Sequence, residues 1–401
     1  MKIALVYPRG NLLPREFDGV VETRPKKSLL PLGMLSIVAN SPADIDFIDN
    51  RVNNMTDVEL YFRLKNYDVV GFGGTIFESE QAVSLSWTLM QNGVFTIYGG
   101  ANATVNYDMY DTKFSQIVIG EADDYDFKSR DKIVNLSRKK NLDDLLYPYR
   151  GGVVLKDYNR HEKWLDFPTD TVISSRGCPY DCSFCSSRII WDKKYTMRSA
   201  ENVVDEVKYL VRTIGTKSIY FREDNFTISK KRLTAICNDM PVMWKCESRV
   251  DAINDETARI MSDGGCSVIW FGIEHTSDKI LRTVSKGTDY RKTMTALEAC
   301  YKYGIKTVGS FIVGLPEESI YDMILNVVNI RKLGLDHVSL NRAYAFPVSD
   351  MYHEILRHGL DVYSHNGIIL PKTKRASKEI VDTIHYLAGK YFAVTEKYFK
   401  Q

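Results

Sequence analysis

The chain has 401 residues, 44% of them apolar and 26% charged, with a net charge of +2. That composition is enough to bury a core, while the near-balanced charge excludes recruitment of nucleic acid by bulk electrostatics. No run of about 18 apolar residues occurs, so no membrane span is expected, and at roughly 100–200 residues per domain the length suits two or three domains.

Met1-Lys2 followed by a short apolar run ending at Pro8 reads as a first strand, because the run is too short for a secretory leader. Apolar runs at 3–7, 46–49, 68–74, 94–100 and 116–120 predict strands buried on both faces. Segments 32–40, 57–65 and 78–91 predict helices between them. This alternation predicts a parallel sheet with helices on both faces. Two glycine clusters fall at strand carboxyl ends, where the ligands of such sheets sit: Gly71-Phe72-Gly73-Gly74-Thr75 and Gly99-Gly100-Ala101-Asn102-Ala103-Thr104. Neither is a G-x-G-x-x-G fingerprint, and tight turns alone are the alternative reading. All seven histidines follow residue 160, so this half offers no imidazole ligand. Residues 126–167 read as a linker. They hold a basic block at 128–140, a turn-rich stretch at 147–152, and a short apolar run, Val153–Leu155, expected as a hairpin strand.

The β-type run Thr171-Val172-Ile173-Ser174 then leads into Ser175-Arg176-Gly177-Cys178-Pro179-Tyr180-Asp181-Cys182-Ser183-Phe184-Cys185. Cys178, Cys182 and Cys185 are spaced C-x3-C-x2-C on one loop. Thiolates are the usual ligands of iron–sulfur clusters, and a [4Fe–4S] cube normally takes four. Three would leave one iron open to a substrate. A zinc knuckle generally needs four ligands, and no second cysteine pair or nearby histidine accompanies the loop; buried free thiols are the other alternative. The remaining cysteines, Cys237, Cys246, Cys266 and Cys300, are scattered and read as core residues of a chain kept in a reducing cytoplasm.

Runs at 218–221, 242–246, 268–272, 307–313 and 337–340 follow, separated by helical patterns. With 171–174 they predict a partial (β/α)6 TIM-like barrel whose ligand end is the strand carboxyl end. Ser199 reads as an N-cap opening a helix to about Arg212. Residues 346–401 read as a helical extension with an amphipathic stretch at 376–399. Its His353, His358 and His365 are too dispersed to make a metal site on spacing.

The loop R-G-C-P-Y-D-C-S-F-C resembles the signature of the radical S-adenosylmethionine (SAM) enzymes. The resemblance implies that Cys178, Cys182 and Cys185 hold a [4Fe–4S] cluster, and that its open iron chelates SAM, which is cleaved to a 5′-deoxyadenosyl radical. It further implies that Phe184 lies beside adenine, that Glu223 and Asp224 hold the SAM ammonium, and that Arg249 pairs with the SAM carboxylate. Glu274, in Gly272-Ile273-Glu274-His275, would reach the ribose or amine. Gly309 opens a run similar to the family's G-x-x-x-G-L-P-G-E-T.

The order P-L-G-M-L (31–35), F-I-D-N (47–50), D-V-V-G-F-G-G-T (68–75), Y-G-G-A-N-A-T (98–104) and V-I-G-E-A-D (118–123) resembles the cobalamin (B12)-binding Rossmann-like domain that precedes many radical SAM barrels. That implies corrinoid contacts at Gly73, Gly74, Thr75, Gly99, Gly100, Asn102, Thr104 and Glu121, without a lower histidine ligand. Ala101 and Asn102 replace the commoner proline and histidine, so a sheet that has lost its cofactor is the alternative. The resulting architecture is α/β, with a B12-type sheet at 1–125, a linker at 126–167, a radical SAM barrel at 168–345 and a helical extension at 346–401.

The implied activity is cobalamin-dependent methylation of an unactivated carbon in a small-molecule or natural-product substrate. Electrons would come from a reductant such as flavodoxin or ferredoxin, and neither nucleic acid nor membrane is expected as a partner. A radical rearrangement, cyclisation or decarboxylation without cobalamin, or a non-catalytic metal-binding scaffold, are the rival expectations.

Overall fold

Strand β1 (Ile3–Tyr7) lies between two parallel neighbours, β2 (Ile45–Asp49) and β3 (Val69–Gly73). β4 (Phe95–Gly99), β5 (Gln116–Ile119) and β6 (Ile133–Asn135) complete a parallel sheet in the order β2-β1-β3-β4-β5-β6. This doubly wound order opens a crevice at the strand carboxyl ends, where the order reverses between β1 and β3. Helices Leu32–Asn40, Asp57–Leu64 and Ser79–Gln91 flank it. The second of these is opened by a capping box between Thr56 and Glu59, which satisfies two otherwise free backbone donors. Tyr98 and Phe114 stack at 4.6 Å within the core.

The protein is seen here in a computed structural model that describes residues 1–10, 28–365 and 367–398. They fall into two compact units, one running to Asn159 and one from Arg160. β6 lies inside the segment expected as a linker. Its basic flanks hide the short strand in the composition, yet Leu136 N–H extends the ladder to the Ile119 carbonyl at 2.8 Å, and Lys132 caps the Phe114 carbonyl. The hairpin strand expected at Val153–Leu155 does not form. Val154 is exposed and the chain turns into a short 3-10 segment, Leu155–Asp157, with no strand beside it.

In the second unit β7 (Thr169–Val172) leads into a small ribbon of β8 (Ser175–Arg176) and β9 (Thr196–Met197). β10 (Ser218–Phe221), β11 (Met243–Ser248), β12 (Cys266–Glu274), β13 (Lys306–Val313) and β14 (His337–Arg342) then build the parallel order β14-β13-β12-β11-β10-β7. Alternation sends Ile219, Phe221, Trp244, Cys246, Ile269, Phe271 and Ile273 into one apolar cluster with the helices. Strand ends from β10 to β13, together with the cysteine loop, line a single cavity, as a sheet curved into a partial barrel requires.

The expected helical extension also contains an antiparallel hairpin, β15 (Asp361–His365) with β16 (Ile368–Pro371), ahead of the helix Lys378–Tyr398. The Asn-Gly pair in the sequence between its strands is the turn signal for it. The side chain of His365 and the last residues of the expected terminal helix lie outside the described residues. Among those described, no helix is long and apolar enough to cross a membrane.

Trp244 is fully buried against Phe221 and Phe226, and its indole N–H donates to the Gly264 carbonyl at 2.7 Å. Trp244→Ala is expected to destabilise the second unit by about 3–5 kcal/mol, read as a lowered urea midpoint by circular dichroism.

Candidate active site

The cysteine loop is fixed at both ends. Gly177 has φ +89°, and any side chain there would run into the Lys194 carbonyl, so the chain can leave β8 only through glycine. Further along, Ser183 N–H donates to the Val284 carbonyl and Ser183 carbonyl accepts from Met351 N–H, each at 3.0 Å. Arg188 pairs with Asp181 and Asp350 at 2.6 and 2.7 Å. Cys178, Cys182 and Cys185 all line one cavity of about 240 Å³. Burial raises the Cys178 thiol and pushes Cys185 up to about 12, backbone N–H donors opposing it in both cases.

Beneath the loop lies a buried polar clamp. Glu223 accepts from Ser174 N–H and from the Ser174 and Ser175 hydroxyls. Arg232 donates to the Arg198 carbonyl at 2.7 Å and to the Ser174 carbonyl at 2.9 Å, and Arg198 pairs with Glu206. Glu223 therefore holds the root of the loop and is not among the residues that line the cavity. Its neighbour Asp224 does face the cavity, accepting from the Ser187 hydroxyl at 2.8 Å and from Gly177 N–H.

Phe184, on the loop itself, lines the same cavity, and the opposite wall brings together Arg249 and Glu274 with Glu247, Trp270 and Lys286. Arg249 is held by Asp251 and by the Lys286 carbonyl, at 2.9 and 2.7 Å, stacks on Tyr180, and directs Nη1 to 3.8 Å from Cys182 Sγ. Glu274 adopts φ +67° at a bulge in β12, a strained conformation that re-aims its carboxylate onto Lys286 Nζ at 2.9 Å. At Gly309 an added Cβ would meet Leu335, Phe311 and Ile273 on the helix side, and the Ser310 side chain takes the cavity side. His275 is structural. Ser277 N–H donates to its Nδ1, so Nε2 carries the proton and donates to buried Glu318 at 3.0 Å, which also accepts from Gly314 and Leu315 N–H.

In the first unit Gly73-Gly74 and Gly99-Gly100 end the neighbouring strands β3 and β4. Gly100, at φ +93°, lies so near Gly74 that an added Cβ would sit 3.5 Å from its backbone, leaving bare main chain at the sheet's crevice. Thr75 is capped by Glu78. Asn102 donates to the Tyr98 and Tyr110 hydroxyls and accepts from Asn106, Thr104 bonds Gly100 and Gly120, and Glu121 pairs with Arg138. These three side chains shape the loops around the glycines.

Residues 172–328 match the family model described as the radical SAM superfamily. The chain carries a radical SAM domain. It is 27% identical over 398 residues, 90% of this chain and 84% of the other, to an uncharacterized methyltransferase of Pyrococcus horikoshii. It is 22% identical over 350 residues, 82% and 76% of the two chains, to the bacteriochlorophyllide d C-8(2)-methyltransferase of Chlorobaculum tepidum. In fold it is similar to the radical SAM methyltransferase TsrM of Kitasatospora setae with cobalamin and [4Fe–4S] cluster bound. The TM-score is 0.67 at 14% identity, covering 95% of this chain and 84% of that one.

A radical SAM domain takes a [4Fe–4S] cluster and SAM, and the donor set suits both. Among the described residues no three His, Cys, Asp or Glu side chains close on a single ion, whereas a cube takes each thiolate on a different iron. Beside the thiols the cavity offers carboxylates, two guanidinium groups and an ammonium, the complements of a zwitterionic sulfonium.

Burial, opposed by Arg232 and the serine donors, pushes Glu223 up from 4.5 to about 7. A carboxyl that holds its proton more tightly when folded stabilises the fold fully below about pH 4.5, and that contribution is lost as pH rises through about 7. Wild-type thermal stability should therefore fall relative to Glu223→Gln as pH rises across that window, by on the order of 3 kcal/mol. Parallel melting curves of the two proteins check this.

Proposed function

We propose that this chain is a cobalamin-dependent radical SAM methyltransferase acting on an unactivated carbon of a small-molecule or natural-product substrate. One observation carries the reading: three thiols of one loop share a cavity with a facing wall of charged side chains. When bound, the cluster and SAM supply the radical and cobalamin carries the methyl group. Cys178, Cys182 and Cys185 hold the cluster. Asp224, which among the described residues accepts only from Ser187 and Gly177, receives the SAM ammonium. Arg249 keeps Nη1 for the SAM carboxylate beside Cys182. Glu274, steadied by Lys286, meets the ribose, and Phe184 flanks adenine. In the first unit the bare backbone of Gly73, Gly74, Gly99 and Gly100 admits the corrinoid, with Thr75, Asn102, Thr104 and Glu121 ordering the turns around it. A reductant of the flavodoxin or ferredoxin type in a reducing cytoplasm delivers the electron.

A second reading, a radical rearrangement, cyclisation or decarboxylation without cobalamin, draws on the internal hydrogen bonds of Asn102 and Thr104 and the internal ion pair of Glu121, which leave the corrinoid little but backbone. Two measurements separate the possibilities. Anaerobically reconstituted, reduced protein should release 5′-deoxyadenosine from SAM, and Cys182→Ala should release none; a wild type that releases none is a scaffold. Protein mixed with cobalamin and desalted should keep a corrinoid absorption band, and loss of that band would favour the second reading.

A further inference from the structure

The contacts assigned to SAM leave Glu247 and Trp270 of the cavity wall unused, and these belong to the interior face of the barrel where β10, β11 and β12 lie side by side. Alternation puts Tyr220 and Arg222 on this face, with Lys245 and Glu247 on the adjoining strand and Trp270 directly beside Glu247. Branched aliphatic side chains usually fill such an interior. Here it is charged, with Tyr220 and Lys245 buried and Arg222 and Glu247 reaching solvent.

The charges are unequally satisfied. Lys245 is neutralised by Glu162 and covers the Tyr220 ring at 3.9 Å. Among the described residues Arg222 has no partner as close, its guanidinium lying 5.2 Å from the Tyr220 ring centre. Its backbone extends the ladder to the Val172 carbonyl at 2.9 Å, while its side chain is 46% exposed. Against the five N–H donors of a guanidinium it finds one hydrogen bond of 3.4 Å to the Tyr220 hydroxyl and Glu247 at 4.0 Å. Glu247 accepts from the Tyr220 hydroxyl at 2.6 Å and is 36% exposed on the cavity wall. An ion pair that long and that wet contributes about 0–1 kcal/mol, so the fold alone does not account for it.

Charge balance indicates what does. A ligand carrying only an anion would gain from Arg222 and be repelled by Glu247, and a purely cationic one would meet the reverse. A ligand whose carboxylate and ammonium share one carbon satisfies both, each of its charges lying on the opposite charge of the protein. We propose that Arg222 and Glu247 form the substrate subsite for a free α-amino acid. Arg222 takes the carboxylate in a forked hydrogen bond, Glu247 takes the ammonium, and the substrate side chain runs along the Trp270 ring. This rests on the reading of the cavity as a radical SAM site and names the class of molecule it acts on.

Isothermal titration tests it on cluster-reconstituted full-length protein saturated with S-adenosylhomocysteine, using L-phenylalanine, phenethylamine (no carboxylate) and 3-phenylpropanoate (no ammonium) as probes. L-Phenylalanine should bind saturably to the wild type, with both truncated probes about tenfold or more weaker. Arg222→Gln should bring L-phenylalanine down to the level of phenethylamine, and Glu247→Gln to that of 3-phenylpropanoate. Wild type that ignores L-phenylalanine, or binds all three probes alike, overturns the proposal without recourse to the variants. Variants that bind L-phenylalanine undiminished also overturn it. Release of 5′-deoxyadenosine by the same wild-type preparation keeps the two readings apart: its presence without L-phenylalanine binding removes the subsite alone, and its absence removes the radical reading.

Discussion

A buried carboxyl group anchors the cysteine loop of this chain. Glu223 gathers the backbone and hydroxyl of Ser174 and the hydroxyl of Ser175, and Arg232 closes the same knot from the helix side. Burying such charges costs several kcal/mol for each ion unless partners surround it, so the network contributes less to stability than to position. It sets where β8 begins. From there Gly177 can turn only one way, and the thiols follow into the cavity.

The wall facing those thiols is organised by the same economy of partners. Arg249 is gripped by Asp251 and Lys286 so that one edge of its guanidinium remains for the cavity. Glu274 sits in a strained turn, held by Lys286. Strain of that kind persists only where surrounding contacts over-determine it, and the bulge in β12 supplies the local geometry. Asp224, Arg222 and Glu247 differ in kind, being exposed or half-exposed and thinly partnered. The side chains that hold the site are thus saturated with hydrogen bonds, and those free to meet ligands are not.

Much of this was legible in the sequence. The cysteine spacing and the alternation of apolar runs with helical stretches identify the loop and both parallel sheets, because each rests on local periodicity. Periodicity is less informative where one residue of offset decides the face. Glu223 and Asp224 are neighbours in one acidic run, yet one points under the loop and the other into the cavity. Gly309 and Ser310 divide the same way between helix side and lumen. Counting back by twos from Glu274 and Arg249 would have placed Trp270 and Glu247 on the cavity face. Lys286 carries no such signal, since it reaches the site from a loop after a short helix and only the fold brings it to Glu274. β6 is a short strand whose pairing is tertiary and which composition conceals, whereas the local β15–β16 hairpin carries its turn signal in the Asn-Gly pair of the sequence.

The central claim is that three thiolates leave one iron able to bind SAM. Electron paramagnetic resonance of the reduced, reconstituted protein before and after addition of SAM tests it most directly. The account predicts a [4Fe–4S] signal whose g-values shift when SAM is added, because a ligand has joined the open iron. A cluster signal that SAM leaves unchanged, or a protein that assembles no cluster, would contradict it.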